Sequence, residues 1–204
     1  MTQAELRYVT ETGADALVRM VAERTAEAVG GCMNAAAFEA LSPQQVTLWA
    51  YAILRDEMME GGCVQLIHNG WGNLFFRNPF ARAVREWGMA DLAGFMNKMR
   101  RLWQRYGDEL ARPCSDEEFM ALYERFPAFD VLDDYFVLHE EKFTLDVARY
   151  VEEHLEDFVR LSQSPAGNSP AQAPKALRRS RCRPACRMRP TPHSPQRRSS
   201  VRQS

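Results

Sequence analysis

Glu57-Met58-Met59-Glu60-Gly61-Gly62-Cys63-Val64-Gln65-Leu66-Ile67-His68-Asn69-Gly70-Trp71-Gly72 contains the best strand candidate in the 204-residue chain, and its reading settles the fold class. Cys63 to Ile67 is short and apolar, as a buried strand would be. It lies between Gly61-Gly62 and Asn69-Gly70, which read as a helix stop and a turn, and every other strand signal in the chain is weaker. The segment therefore connects helices. The expected fold is all-α, a single irregular domain of roughly seven helices.

On either side of this segment the apolar spacing is helical. Ser42-Pro43-Gln44-Gln45 is an N-terminal signature, with Ser42 as cap, Pro43 at the first helical position and Gln45 completing a capping box. The helix it opens carries Val46, Trp49, Ala50, Ile53 and Leu54 and is expected to stop at Gly61-Gly62. Upstream, Ala14 to Val29 places Leu17, Val18, Val21 and Ala22 on one face, and a short helical turn is expected over Ala35 to Leu41. Downstream, helices are expected from Asn78-Pro79 to Trp87 and from Ala90 to Tyr106, before Gly107. Ser115-Asp116-Glu117-Glu118 is a second capping box. Phe129, Leu132, Phe136 and Leu138 continue the apolar pattern after Pro127, and Thr144 to Leu161 is expected to form a last helix.

Charge is partitioned along the chain. Residues 162–204 hold ten Lys and Arg and no Asp or Glu, whereas residues 1–161 hold 16 basic and 27 acidic residues. Of those acids, 14 fall in residues 116–161 against four bases. A concentrated negative field attracts basic partners and repels nucleic acid, so no direct nucleic-acid binding is expected of residues 1–161. Residues 162–204 contain seven Pro and no aromatic residue. Such a segment cannot offset its ordering entropy by burial, so a disordered basic tail is expected after a folded domain of residues 1–161.

No stretch of about 18 apolar residues occurs, and the N-terminus lacks a basic region followed by an apolar run. A cytoplasmic protein without membrane contact is expected. Cys32, Cys63 and Cys114 are scattered, and Cys182, Cys186 and His193 have no standard ligand spacing, so neither a disulfide framework nor a metal is expected.

The densest polar constellation is again the segment from Asp56 to Gly72. Cys63, Glu57, His68 and Asn69 are the residue types of a nucleophile, acid or base, but nothing in the sequence orients a base or holds an oxyanion. The architectural reading gives Gly61 and Gly62 the left-handed turn, Gln65 the pairing of buried backbone groups and Asn69 the capping or closure of the next turn. No catalytic residue and no cofactor are expected.

Glu57, Gly61, Gly62, Gln65 and Asn69, after a long helix and before Phe129-Asp130-Val131-Leu132-Asp133-Asp134-Tyr135-Phe136, resemble the helical family of the nineteen-kilodalton DNA mimic protein over about Leu41 to Phe158. Cys63 stands where an aromatic residue is usual in that family, and the basic tail has no counterpart in it. The resemblance implies an all-helical, dimeric bacterial protein whose acidic surface occupies the DNA-binding site of a transcription factor. Here that surface would comprise Asp130, Asp133, Asp134, Glu140, Glu141, Asp146, Glu152, Glu153, Glu156 and Asp157. Glu152 with Glu156, and Glu153 with Asp157, would form like-charge pairs on the last helix, each destabilising by about 0.2–0.5 kcal/mol. An immunity protein that neutralises a toxin nuclease would present the same acidity. An enzyme would instead centre on Glu57, Gln65, His68 and Asn69.

Overall fold

A computed structural model describes residues 13–158. Its elements are α1 (Ala14–Ala28), α2 (Ala35–Ala40), α3 (Pro43–His68), α4 (Gly72–Phe76), α5 (Phe80–Glu86), α6 (Ala90–Leu110), α7 (Asp116–Arg125), a 3₁₀ turn (Pro127–Phe129), α8 (Asp130–Glu153) and α9 (Leu155–Phe158). The fold is all-α, with no strand among the described residues. The expected tail, residues 162–204, and the boundary at 161 lie outside the described residues.

Two long helices, α3 and α8, pack against each other, and α1 lies against both. Leu17 and Val21 of α1, Leu48, Tyr51 and Leu54 of α3, and Phe136, Phe143 and Val147 of α8 are fully buried. Each of these large side chains contributes about 1.5–3 kcal/mol by leaving water. The Tyr51 hydroxyl is paired with Thr144 Oγ1 at 2.9 Å, so the tyrosine's polar end is satisfied inside the core. α6 carries Leu92, Phe95, Met96 and Met99 against α3, α5 and α8.

Both capping boxes form. Ser42 Oγ accepts the Gln45 N–H at 3.2 Å while Gln45 Oε1 accepts the Ser42 N–H at 3.0 Å, and Ser115 and Glu118 do the same for α7.

Three boundaries differ from the sequence expectation. The helix begun at Ser42 does not stop at Gly61-Gly62. Gly62 breaks it with φ 73° and ψ −163°, and Cys63 to His68 then continues as helix. α6 runs through Gly107 to Leu110, since one glycine inside a helix costs only about 1 kcal/mol relative to Ala; a Cβ there would lie 2.6 Å from Trp103 Cδ1, so the position also makes room for an indole. The segment 130–153 is one helix instead of two, ending at His154 (φ −126°, ψ 37°), and Leu138 is 80% exposed instead of packed in the core.

No helix among the described residues is long and apolar enough to cross a membrane.

Candidate functional site

The break in α3 is satisfied from two other helices. A helix segment starting at Cys63 leaves its first N–H groups without intrahelical acceptors, and the segment ending at Gly61 leaves carbonyls without donors. Asp133 Oδ1 of α8 accepts the Cys63 N–H at 2.8 Å, and the Tyr123 hydroxyl of α7 donates to the Gly61 carbonyl at 2.9 Å.

The same turn brings the five motif residues together. Glu57 Oε2 accepts from Asn69 Nδ2 at 2.7 Å and Gln65 Nε2 at 3.2 Å, and Oε1 accepts from the Trp71 indole N–H at 2.8 Å. A Cβ at Gly61 would overlap the Gln65 amide. The side chains of Gln65 and Asn69 therefore serve a carboxylate, where pairing of buried backbone groups was expected of Gln65; Asn69 is in addition the residue that caps α3, its N–H bonded to the Gln65 carbonyl at 2.8 Å. Burial pushes the Glu57 carboxyl above its ordinary value; the bonds from Asn69, Trp71 and Gln65 pull it down, and the Glu60 charge adds to the rise.

The catalytic ingredients of this segment are not assembled into a nucleophile and base. Cys63 is fully buried, and burial, reinforced by Asp133, holds its thiol protonated. His68 Nδ1 is 2.8 Å from the Leu110 carbonyl, and its ring packs on Phe119 with centroids 4.7 Å apart. Among the described residues no group of three or more His, Cys, Asp or Glu could hold a metal ion.

The acids expected to form one face separate into two kinds. Asp133 is 7% exposed and belongs to the α3 break, so it is a structural acceptor and not part of an outer surface. Glu140 is also withdrawn: it pairs with Arg55 and accepts from Thr144 Oγ1 at 2.8 Å, while Arg55 pairs in addition with Asp15. Asp146 is half-buried and is met by Lys142 at 2.8 Å and Arg149 at 3.9 Å.

Asp134, Glu141, Glu152, Glu153, Glu156 and Asp157 are exposed and make no ion pair among the described residues, and Asp130 is half-buried and likewise unpaired among them. Because α8 ends at Glu153, Glu156 and Asp157 stand on α9, and the expected i to i+4 pairs across His154 do not share a helix. α9 is tied to the start of α3 by Gln45 Nε2, which donates to the Phe158 carbonyl at 2.9 Å, and by Ser42 Oγ, which donates to that of Asp157 at 3.2 Å.

Sequence reasoning missed an apolar component on this surface. Val131, Leu138 and Leu145 of α8 are 73%, 80% and 49% exposed. Their spacing of seven, which keeps residues within about 20° of one line along a helix, was the available signal.

The fold is an all-helical scaffold whose last long helix, α8, carries exposed carboxylates at Asp134, Glu141, Glu152 and Glu153. The chain belongs to the DMP19-like protein family, whose model matches residues 39–154. It is 30% identical over 126 residues to the DNA mimic protein DMP19 of Neisseria meningitidis serogroup B, an alignment that covers 61% of this chain and 76% of that protein.

Proposed function

We propose that the chain is a non-enzymatic DNA mimic, a cytoplasmic homodimer whose acidic surface occupies the DNA site of a basic DNA-binding protein such as a transcription factor. The observation that carries this reading is the group Glu152, Glu153, Glu156 and Asp157, exposed at the junction of α8 and α9 and without an ion pair among the described residues. The similarity to a protein named as a DNA mimic supports it.

Charge density bounds what this surface can imitate. B-DNA carries one charge per roughly 1.7 Å of axis. Residues of α8 rise by about 1.5 Å each, and most of them are not acidic. The surface therefore substitutes for part of one phosphate row, and its partner contacts should weaken with salt less steeply than contacts to duplex DNA.

The test is affinity capture at low salt with the full chain, using the chain with Glu152, Glu153, Glu156 and Asp157 all changed to Lys as control. A basic DNA-binding protein retained only by the parent, and released by added duplex DNA, is the expected result. Retention of a nuclease would favour an immunity protein, and equal retention by both forms would remove the acidic cluster from the interface.

A further inference from the structure

Along α8, apolar and acidic side chains alternate at spacings of three and four: Val131, Asp134, Leu138, Glu141, Leu145. All five are exposed. Positions spaced three and four apart form one seam down a helix, the seam that a second helix covers when two helices pair. Exposed apolar side chains in such a row mark an interaction surface more than scattered ones do. Lys142 and Arg149 on the flank of the seam pair with Asp146, and Lys142 also with Asp91 of α6, and neither pairs with Asp134 or Glu141.

The alternation decides what can cover the seam. A second copy laid parallel and in register would set Asp134 against Asp134 and Glu141 against Glu141. An antiparallel copy centred on Leu138 would bring Asp134 and Glu141 of the two seams to within one residue of the same level. Either arrangement buries like charges against each other, which is destabilising. The chain's own basic segment, residues 162–204, carries seven prolines and so opposes a continuous helix. A helix that places apolar residues opposite Val131, Leu138 and Leu145 and Lys or Arg opposite Asp134 and Glu141 satisfies both kinds of position.

We infer that the α8 seam is a docking surface for an amphipathic helix that is basic as well as apolar, supplied by the partner protein. This deepens the DNA-mimic reading and rests on it. The partner is held by burial of side chains as well as by charge, so part of its affinity survives in salt.

The probe is a fluorescently labelled three-heptad peptide with Leu at the first position and Lys at the fourth position of each heptad. It is used below its own self-association concentration and compared with a peptide carrying Ala in place of each Leu. The full-length chain should bind the Leu peptide about ten-fold or more tightly than the Ala peptide, and Leu138→Ser should remove that preference. Asp134→Asn with Glu141→Gln should flatten the salt dependence while keeping the preference for Leu. Leu138 is 80% exposed, so its replacement leaves the fold intact, checked by thermal unfolding.

Equal binding of the two peptides, or unchanged binding by Leu138→Ser, would overturn the seam and leave the acidic reading standing. Sedimentation showing that Leu138→Ser splits a dimer would also overturn it, since a second copy would then be the occupant. The lysine-reversal capture described above tests the mimic reading separately, because those four positions lie at the end of α8 and on α9.

Discussion

Asp133 on α8 accepts the backbone N–H of Cys63 at 2.8 Å, directly after the residue that breaks α3. A side chain 70 positions away thus provides the N-terminal acceptor for the second half of a helix, where a carboxylate is also favoured by the helix dipole. The contact fixes the two longest helices of the core to each other. It also removes one carboxylate from the outer surface.

Asp133→Ala should lower the unfolding free energy by about 1–3 kcal/mol, the penalty of leaving a buried N–H without an acceptor. Asp133→Asn keeps an oxygen in place and should cost less. Urea denaturation of the two variants checks the order, and equal stability of Asp133→Ala and the parent would sink the account.

Gly62 has a positive φ of 73°, and a Cβ there would lie 2.5 Å from Asp133 Oδ2. Gly62→Ala should therefore destabilise by about 1–3 kcal/mol from backbone strain, with the clash in addition. In the double variant with Asp133→Ala the clash disappears and the strain remains, so the combined loss should be smaller than the sum of the two single losses.

Glu57 predicts a pH dependence. Its carboxyl is pushed up on folding, chiefly by burial, so the folded chain holds this proton more tightly than the unfolded chain. The resulting contribution to stability is fully present below the ordinary value of 4.5 and is lost as pH rises through the folded value. Across that interval the parent should lose stability relative to Glu57→Gln, measured by denaturant midpoints at a series of pH values. A constant difference between parent and variant would contradict the raised carboxyl.

Gln45 uses both ends of its amide, accepting from the Ser42 N–H and donating to the Phe158 carbonyl. Gln45→Ala should increase amide hydrogen exchange in α9 and at the start of α3 together, with a loss on the order of 1 kcal/mol. Faster exchange at only one of the two places would show that α9 is held by other contacts, such as Phe158 against Trp87 and Tyr150.

Local signals were legible in the sequence and distant ones were not. Both capping boxes, at Ser42 and Ser115, depend on residues three positions apart, and both formed as read. The glycine pair at 61 and 62 was read as a helix stop because a glycine of positive φ normally ends a helix. Acceptance of the Cys63 N–H by Asp133, and donation by Tyr123 to Gly61, allow the helix to resume, and neither partner is near in sequence. The motif residues meet at one turn, but the carboxylate that gathers the Gln65 and Asn69 amides became visible only once the turn placed Glu57 beside them. The acidic count was legible. Which acids the fold consumes depended on Arg55 and on the α3 break, and composition records neither.

The anchoring of α9 also couples two distant parts of the fold. With one amide holding both the Ser42 N–H and the Phe158 carbonyl, the start of α3 and the last described helix, joined across 113 positions of sequence, open and close as one cooperative unit, so a disturbance at either place is felt at the other.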